Sequence, residues 1–90
     1  MYEIKRTGQF KKDLKSAISR GYDMNLLQTV VDTLAEGKKL DTKYNDHELS
    51  GNWKGYRECH ILPDWLLIYQ YSKTELILYL TRTGTHSDLF

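Results

Sequence analysis

The sequence predicts an α+β fold of order β-α-α-β-β-β, an antiparallel meander sheet with a helical hairpin packed on one face. Three observations carry this expectation. Apolar residues recur at helical spacing between about residues 9 and 36, and three runs rich in aromatic and branched residues follow residue 52. The chain has 90 residues, enough for one core and not two, because chains of this size bury only about 60% of their unfolded surface. Residues 1–90 are expected to form a single domain.

Taken in order, Tyr2, Ile4 and Arg6 alternate with Glu3 and Lys5, a short strand ended by Thr7 and Gly8. Phe10, Leu14, Ala17 and Ile18 then lie on one face of a helix over about residues 9–20, with Lys11, Lys12 and Lys15 on its other faces. Gly21 stops this helix and Asp23 can cap the next, whose stripe of Leu26, Leu27, Val30, Val31 and Leu34 is closed by Gly37. Residues 38–52 show no periodicity and read as a loop of about 15 residues, a length that in small domains usually has a functional role. Trp53 to Ile61, Trp65 to Tyr71 and Glu75 to Arg82 read as three strands, separated by turn signals at Leu62-Pro63-Asp64 and Ser72-Lys73-Thr74. Thr83 to Phe90 reads as a tail docked by Leu89 and Phe90. The hairpin covers one sheet face in this layout, and the other is expected to be free for a ligand.

Composition narrows the function classes. Hydrophobic residues make up 40% and the net charge is +1, outside the range of disordered chains. The longest apolar run is Trp65 to Tyr69, too short to span a bilayer, and the first residues lack a signal-peptide pattern, so the expected compartment is the cytoplasm with no membrane contact. A lone Cys59 allows no internal disulfide and suits a reducing compartment. Charge is unevenly spread: residues 1–45 hold nine Lys and Arg against six acids, residues 46–90 four against six, and all three histidines lie in the second half. A docking part and a chemical part are the natural reading.

Alternation places Lys54, Tyr56, Glu58 and His60 on one side of the first meander strand and Gly55, Arg57, Cys59 and Ile61 on the other. Each histidine has an acid nearby in sequence: Asp46-His47, His60 with Asp64, His86 with Asp88. Singly, these are ordinary surface histidines and turn residues. Together they suit general acid-base chemistry, because a neighbouring carboxylate brings imidazole into the range where it can give and take protons. The histidine spacings carry no ligand signature, and neither a Cys-x-x-Cys pair nor an H-E-x-x-H helix is present, so no metal and no cofactor are expected. Lys54, Arg57 and Arg82 can hold phosphates, and Tyr56, Trp65 and Phe90 offer planes for unpaired bases. RNA fits such a set, since its 2′-hydroxyl is a built-in nucleophile and needs only a base and an acid.

Residues 46–69, D-H-E-L-S-G-N-W-K-G-Y-R-E-C-H-I-L-P-D-W-L-L-I-Y, and 82–90, R-T-G-T-H-S-D-L-F, resemble the YafQ branch of the RelE/ParE toxin superfamily. The resemblance covers the second half almost continuously, and the first half agrees in layout. It implies a RelE-like fold and the toxin of a type II toxin-antitoxin pair, a ribosome-dependent endoribonuclease that cleaves mRNA in the A site. Family catalytic positions map to His47, His60, Asp64 and His86, with Trp65 and Phe90 as neighbours that shape the site or contact bases. His86 is the choice for general acid, Asp64 or His60 for base, and His47 for positioning or phosphate binding. The implied partners are the ribosome, mRNA and an antitoxin, whose acidic segment could fold on Lys11, Lys12 and Lys15. The free toxin is expected as a monomer and the complex as a hetero-oligomer. Related ParE-like proteins share the fold and poison gyrase, so the alternative is a non-catalytic toxin that blocks the ribosome or DNA gyrase.

Overall fold

The computed structural model describes all 90 residues. Strand β1 (Glu3–Arg6) leads into helices α1 (Gly8–Ser19) and α2 (Met24–Ala35), followed by the two-residue strand β2 (His47–Glu48), strands β3 (Arg57–Leu62), β4 (Trp65–Tyr71) and β5 (Ile77–Gly84), and the one-turn helix α3 (His86–Leu89). The expected order is present with two additions, β2 and α3. Both helices start where side chains satisfy free amides: Thr7 Oγ1 accepts from Phe10 N at 3.0 Å, and Asp23 Oδ1 from Asn25 N at 2.9 Å.

The five strands form one sheet in the order β1-β5-β4-β3-β2. The β3-β4-β5 meander is antiparallel as expected, while β1 joins β5 in parallel, with Ile4 opposite Leu78, which makes the sheet mixed. A parallel neighbour requires a crossover, and the α1-α2 hairpin lies within the long return from β1. The hairpin buries Phe10, Ala17, Leu27, Val30, Val31, Leu34 and Ala35 against Cys59, Ile61, Trp65, Leu67, Tyr69, Leu78 and Leu80. Ile18 and Leu26, read as part of the buried stripes, remain 56% and 38% exposed.

Strand ends shift where turn chemistry takes over. β3 begins at Arg57 and not at Trp53, because Gly51–Trp53 forms a 3₁₀ turn and Gly55 sits at φ +94, a conformation other residues rarely adopt. β5 begins at Ile77, after Ser72 Oγ accepts from the amides of Thr74 and Glu75 and folds the preceding residues into a turn. The segment 38–52 also holds a 3₁₀ turn at Thr42–Tyr44 ahead of β2.

The sheet face away from the hairpin is not wholly free. Leu66, Ile68 and Leu89 form a second small core there, covered by Leu49, Trp53 and Tyr56. The end of the chain docks through Leu89, 7% exposed, while Phe90 stays 59% exposed. α3 is fixed by a capping box between Thr85 and Asp88 and by Arg20, whose Nη1 and Nη2 donate to Asp88 Oδ2 and Oδ1 at 2.6 and 3.2 Å. The Arg20 guanidinium holds the Asp88 carboxyl well below the usual carboxylate range. Gly84 makes room for this arrangement, since a Cβ there would stand 2.9 Å from Asp88 Cβ.

Candidate active site

The second face gathers the three histidines from separate elements. In β3 the alternation sends Cys59 and Ile61 into the hairpin core and leaves Glu58 and His60 on the opposite face, opposite Ile68 and Leu66 of β4. β2 pairs His47 directly with Glu58, and α3 brings His86 over the other end. The rings form a row: His47 to His60 is 6.3 Å between centroids, His60 to His86 is 5.8 Å, and His86 to Phe90 is 6.2 Å. Phe90 also meets the edge of Trp53 at 6.2 Å, and Trp53 meets Tyr56 at 5.4 Å, so an aromatic surface continues the row.

Beneath the row lies Glu58, a carboxylate with only 5% of its side chain exposed. Its Oε1 stands 3.3 Å from His60 Nε2 and 3.6 Å from His47 Nε2. No Lys or Arg pairs with it, so the two imidazoles are its polar side-chain partners. Sequence reasoning placed Glu58 on the face of His60 and did not nominate it. The strand alternation that puts residues 58 and 60 on one face was the available signal.

The acid partners expected from sequence proximity are all exchanged. Asp46 accepts from Tyr69 Oη at 2.6 Å and from Arg57 Nε at 3.3 Å, and His47 turns instead to Glu58. Asp64 does not reach His60. It accepts from the His86 amide at 3.1 Å and lies 3.4 Å from His86 Nδ1, while His60 Nδ1 faces the carbonyl of Pro63 at 3.3 Å. Asp88 serves α3 and Arg20. Neighbours in an extended chain point to opposite faces, which is why Asp46 and His47 part company.

Orientation is set by backbone oxygens. Asn45, in the left-handed region at φ 47, aims its carbonyl at His47 Nδ1 at 2.7 Å; a carbonyl only accepts, so Nδ1 carries the proton. His47 and His60 therefore each have both ring nitrogens facing oxygen. His86 differs, for Asp64 engages Nδ1 and Nε2 has no partner on a side chain 58% exposed.

Among the residues expected to bind substrate, Phe90 is exposed at the end of the row, and Lys54 is exposed with no acidic partner. Three others are occupied. Arg57 points to the hairpin side and is held by Asp46 and Glu48. Arg82 is clamped by Asp13, with Nε and Nη2 donating at 3.0 and 2.9 Å. Trp65, expected as a stacking plane, is 1% exposed in the hairpin core, packs against Tyr22 at 4.7 Å and donates Nε1–H to Thr83 Oγ1 at 2.9 Å, so neither ring face meets solvent. No group of three or more His, Cys, Asp and Glu side chains is arranged to hold a metal ion.

Comparison with known proteins bears on this arrangement. A family model for the bacterial toxin YafQ of type II toxin-antitoxin systems matches residues 2–90. The chain belongs to the YafQ toxin family. It is 45% identical over 89 residues, covering 98% of this chain and 95% of the relative, to the mRNA interferase toxin YafQ of Escherichia coli K12. The crystal structure of a metal-bound toxin from Helicobacter pylori superposes with a TM-score of 0.94 at 48% identity and full coverage of both chains. YafQ in the E. coli DinJ-YafQ complex superposes with a TM-score of 0.90 at 43% identity, covering 100% of this chain and 99% of that one. The resemblance read from the two sequence motifs therefore extends through the first half of the chain, and the mixed sheet with its helical hairpin is the YafQ-like topology.

Proposed function

We propose that this protein is an mRNA interferase, an endoribonuclease that cuts mRNA on the ribosome by metal-independent acid-base catalysis. The observation that carries the reading is the row of His47, His60 and His86 with the buried Glu58 carboxylate beneath it, in a chain of the YafQ family. His60 is the base. When His60 takes the 2′-hydroxyl proton, the imidazolium so formed has an oxygen at each nitrogen, Glu58 Oε1 at Nε2 and the Pro63 carbonyl at Nδ1. The 2′-oxygen then bonds to phosphorus as the bond to the 5′-oxygen breaks. His86 gives that oxygen its proton from the unpartnered Nε2, with Asp64 holding Nδ1. The products are a 2′,3′-cyclic phosphate and a 5′-hydroxyl end.

His47, bridging Asn45 and Glu58, fits the role of binding the scissile phosphate between the acid and the base. Phe90 and the Trp53-Tyr56 pair supply stacking surface, and Lys54 a phosphate contact. With a net charge of +1 the free protein should bind RNA weakly, so the ribosome A site has to present the substrate. In the cell a small antitoxin would hold the toxin inactive. The exposed Lys11, Lys12 and Lys15 on α1, none in an ion pair, suit an acidic segment that folds on binding. Replacing His86 by Ala in a purified translation system should lower mRNA cleavage by about 100-fold or more. Cleavage at the wild-type rate would overturn the assignment.

A further inference from the structure

One groove beside the histidine row has a composition that the fold does not require. β2 pairs with β3 only at Arg57 and Glu58, so beyond Glu58 no strand covers the outer edge of β3. The Thr42–Tyr44 turn lies beside that edge instead. Between the turn, the start of α2 and the β3-β4 turn runs a cleft of about 530 Å³, lined by Leu26, Lys43, Tyr44, Asn45, Leu62 and Pro63 together with Ile61 and His60. Leu26 and Leu62, both in its lining, are 38% and 43% exposed. Lys43 has no acidic partner, and its Nζ lies 5.1 Å above the Tyr44 ring. The Asn45 side-chain amide makes no hydrogen bond within the chain, although its backbone serves His47 and the 3₁₀ turn.

We propose that this groove is a nucleotide subsite for the residue of single-stranded RNA adjoining the scissile phosphate on the His60 side. The inference rests on the nuclease reading above and specifies where that enzyme reads a base. His60 lines both the groove and the histidine row, so an occupant is one backbone step from the bond that breaks. An apolar floor of Leu26, Leu62 and Pro63 beside a tyrosine suits a base plane, and an unpaired ammonium suits the next phosphate. The volume falls within the range of about 300–1,000 Å³ that small-ligand pockets occupy. Asn45, with one donor and one acceptor group on its amide, is the residue placed to distinguish base edges. It is thus the specificity-determining residue of the groove. The opposite end of the row, with Phe90 and Trp53, takes the strand on the other side of the cut.

The test uses the intact toxin with ribosomes and an mRNA pool of varied sequence, mapping every cut for the wild type and for Lys43→Ala, Leu62→Ala and Asn45→Gly. All three side chains are exposed, and glycine keeps the left-handed backbone at position 45. Leu62→Ala should raise the half-saturating ribosome concentration about fivefold or more, the lower end of what one base contact contributes, and Lys43→Ala should raise it and weaken its dependence on salt, with both saturated rates within about twofold of wild type. Asn45→Gly should flatten the base distribution at one position flanking the cut. Unchanged concentration dependence and an unchanged cut pattern in all three variants overturn the subsite alone. Unchanged cleavage with loss of antitoxin neutralisation also overturns it and makes the groove a protein-docking surface. No cuts by the wild type would overturn the nuclease reading and the subsite with it.

Discussion

Glu58→Gln separates catalysis from folding at a single atom. The carboxylate oxygen lies 3.3 Å from His60 Nε2, and at an effective dielectric of about 20 a full imidazolium-carboxylate pair at that distance is worth about 5 kcal/mol. His60 retains 19% side-chain exposure, so screening reduces the usable part to roughly 2–3 kcal/mol. In the proposed mechanism that attraction grows as His60 takes up the 2′-hydroxyl proton, and its loss in the transition state should slow cleavage by about 30- to 150-fold. The effect on folding runs the other way. A carboxylate with 5% side-chain exposure and only histidines as partners bears a desolvation cost that glutamine avoids, while the glutamine amide, with a donor and an acceptor, can still hydrogen-bond the imidazole rings. We predict single-turnover cleavage of ribosome-bound mRNA reduced about 100-fold, with a urea midpoint equal to or above wild type. Cleavage by the variant within about threefold of wild type would refute the role given to Glu58. A fall in the urea midpoint matching the lost activity would make Glu58 a structural residue.

Three further outcomes are expected. Thr83→Val leaves the buried Trp65 indole N–H without its acceptor and removes the Thr83 hydroxyl that donates to the Leu66 carbonyl at 2.6 Å, and should cost about 1–3 kcal/mol in chemical denaturation; a cost near zero would refute the importance of this relay. Burial alone would raise the Asp13 carboxyl, but hydrogen bonds from Arg82, Gln9 and the Thr83 amide outweigh it and hold the group below its ordinary value. A depressed folded pKa gives stability that is present above the unfolded value of about 3.9 and lost as pH falls towards the folded one, so wild type should lose stability below about pH 4 more steeply than Asp13→Asn; parallel pH profiles would contradict this. Cleavage should persist at full rate in a zinc-selective chelator that leaves ribosomal magnesium in place, and inactivation reversed by a stoichiometric metal would overturn the metal-independent mechanism.

Much of the fold is readable in periodicity and capping. The helices follow from the apolar stripes and from Thr7 and Asp23 at their starts, and the meander from branched residues between turn signals. Two residues carry no period, so β2 could not be seen within a loop, and the parallel pairing of β1 with β5 depends on tertiary packing. α3 did leave a signal, since Thr85-His86-Ser87-Asp88 has the Thr-x-x-Asp pattern of a capping box. The sequence singled out the three histidines that the fold brings together, but not their pairings. His47 meets Glu58 across a ladder and Asp64 meets His86 over 22 residues of chain, contacts that local spacing does not encode. Arg57, Trp65 and Arg82 look like substrate-binding groups in the sequence because the partners that occupy them, Asp46, Thr83 and Asp13, come from distant segments.

Mapping mRNA 5′ ends after induction of this chain separates cutting of mRNA from mere occupancy of the ribosome. New 5′-hydroxyl ends should appear within reading frames, absent when ribosomes are withheld in the purified system and absent with His60→Ala combined with His86→Ala. Growth inhibition with unchanged 5′ ends, persisting in the double variant, would contradict the nuclease reading and establish a toxin that acts by occupying its target.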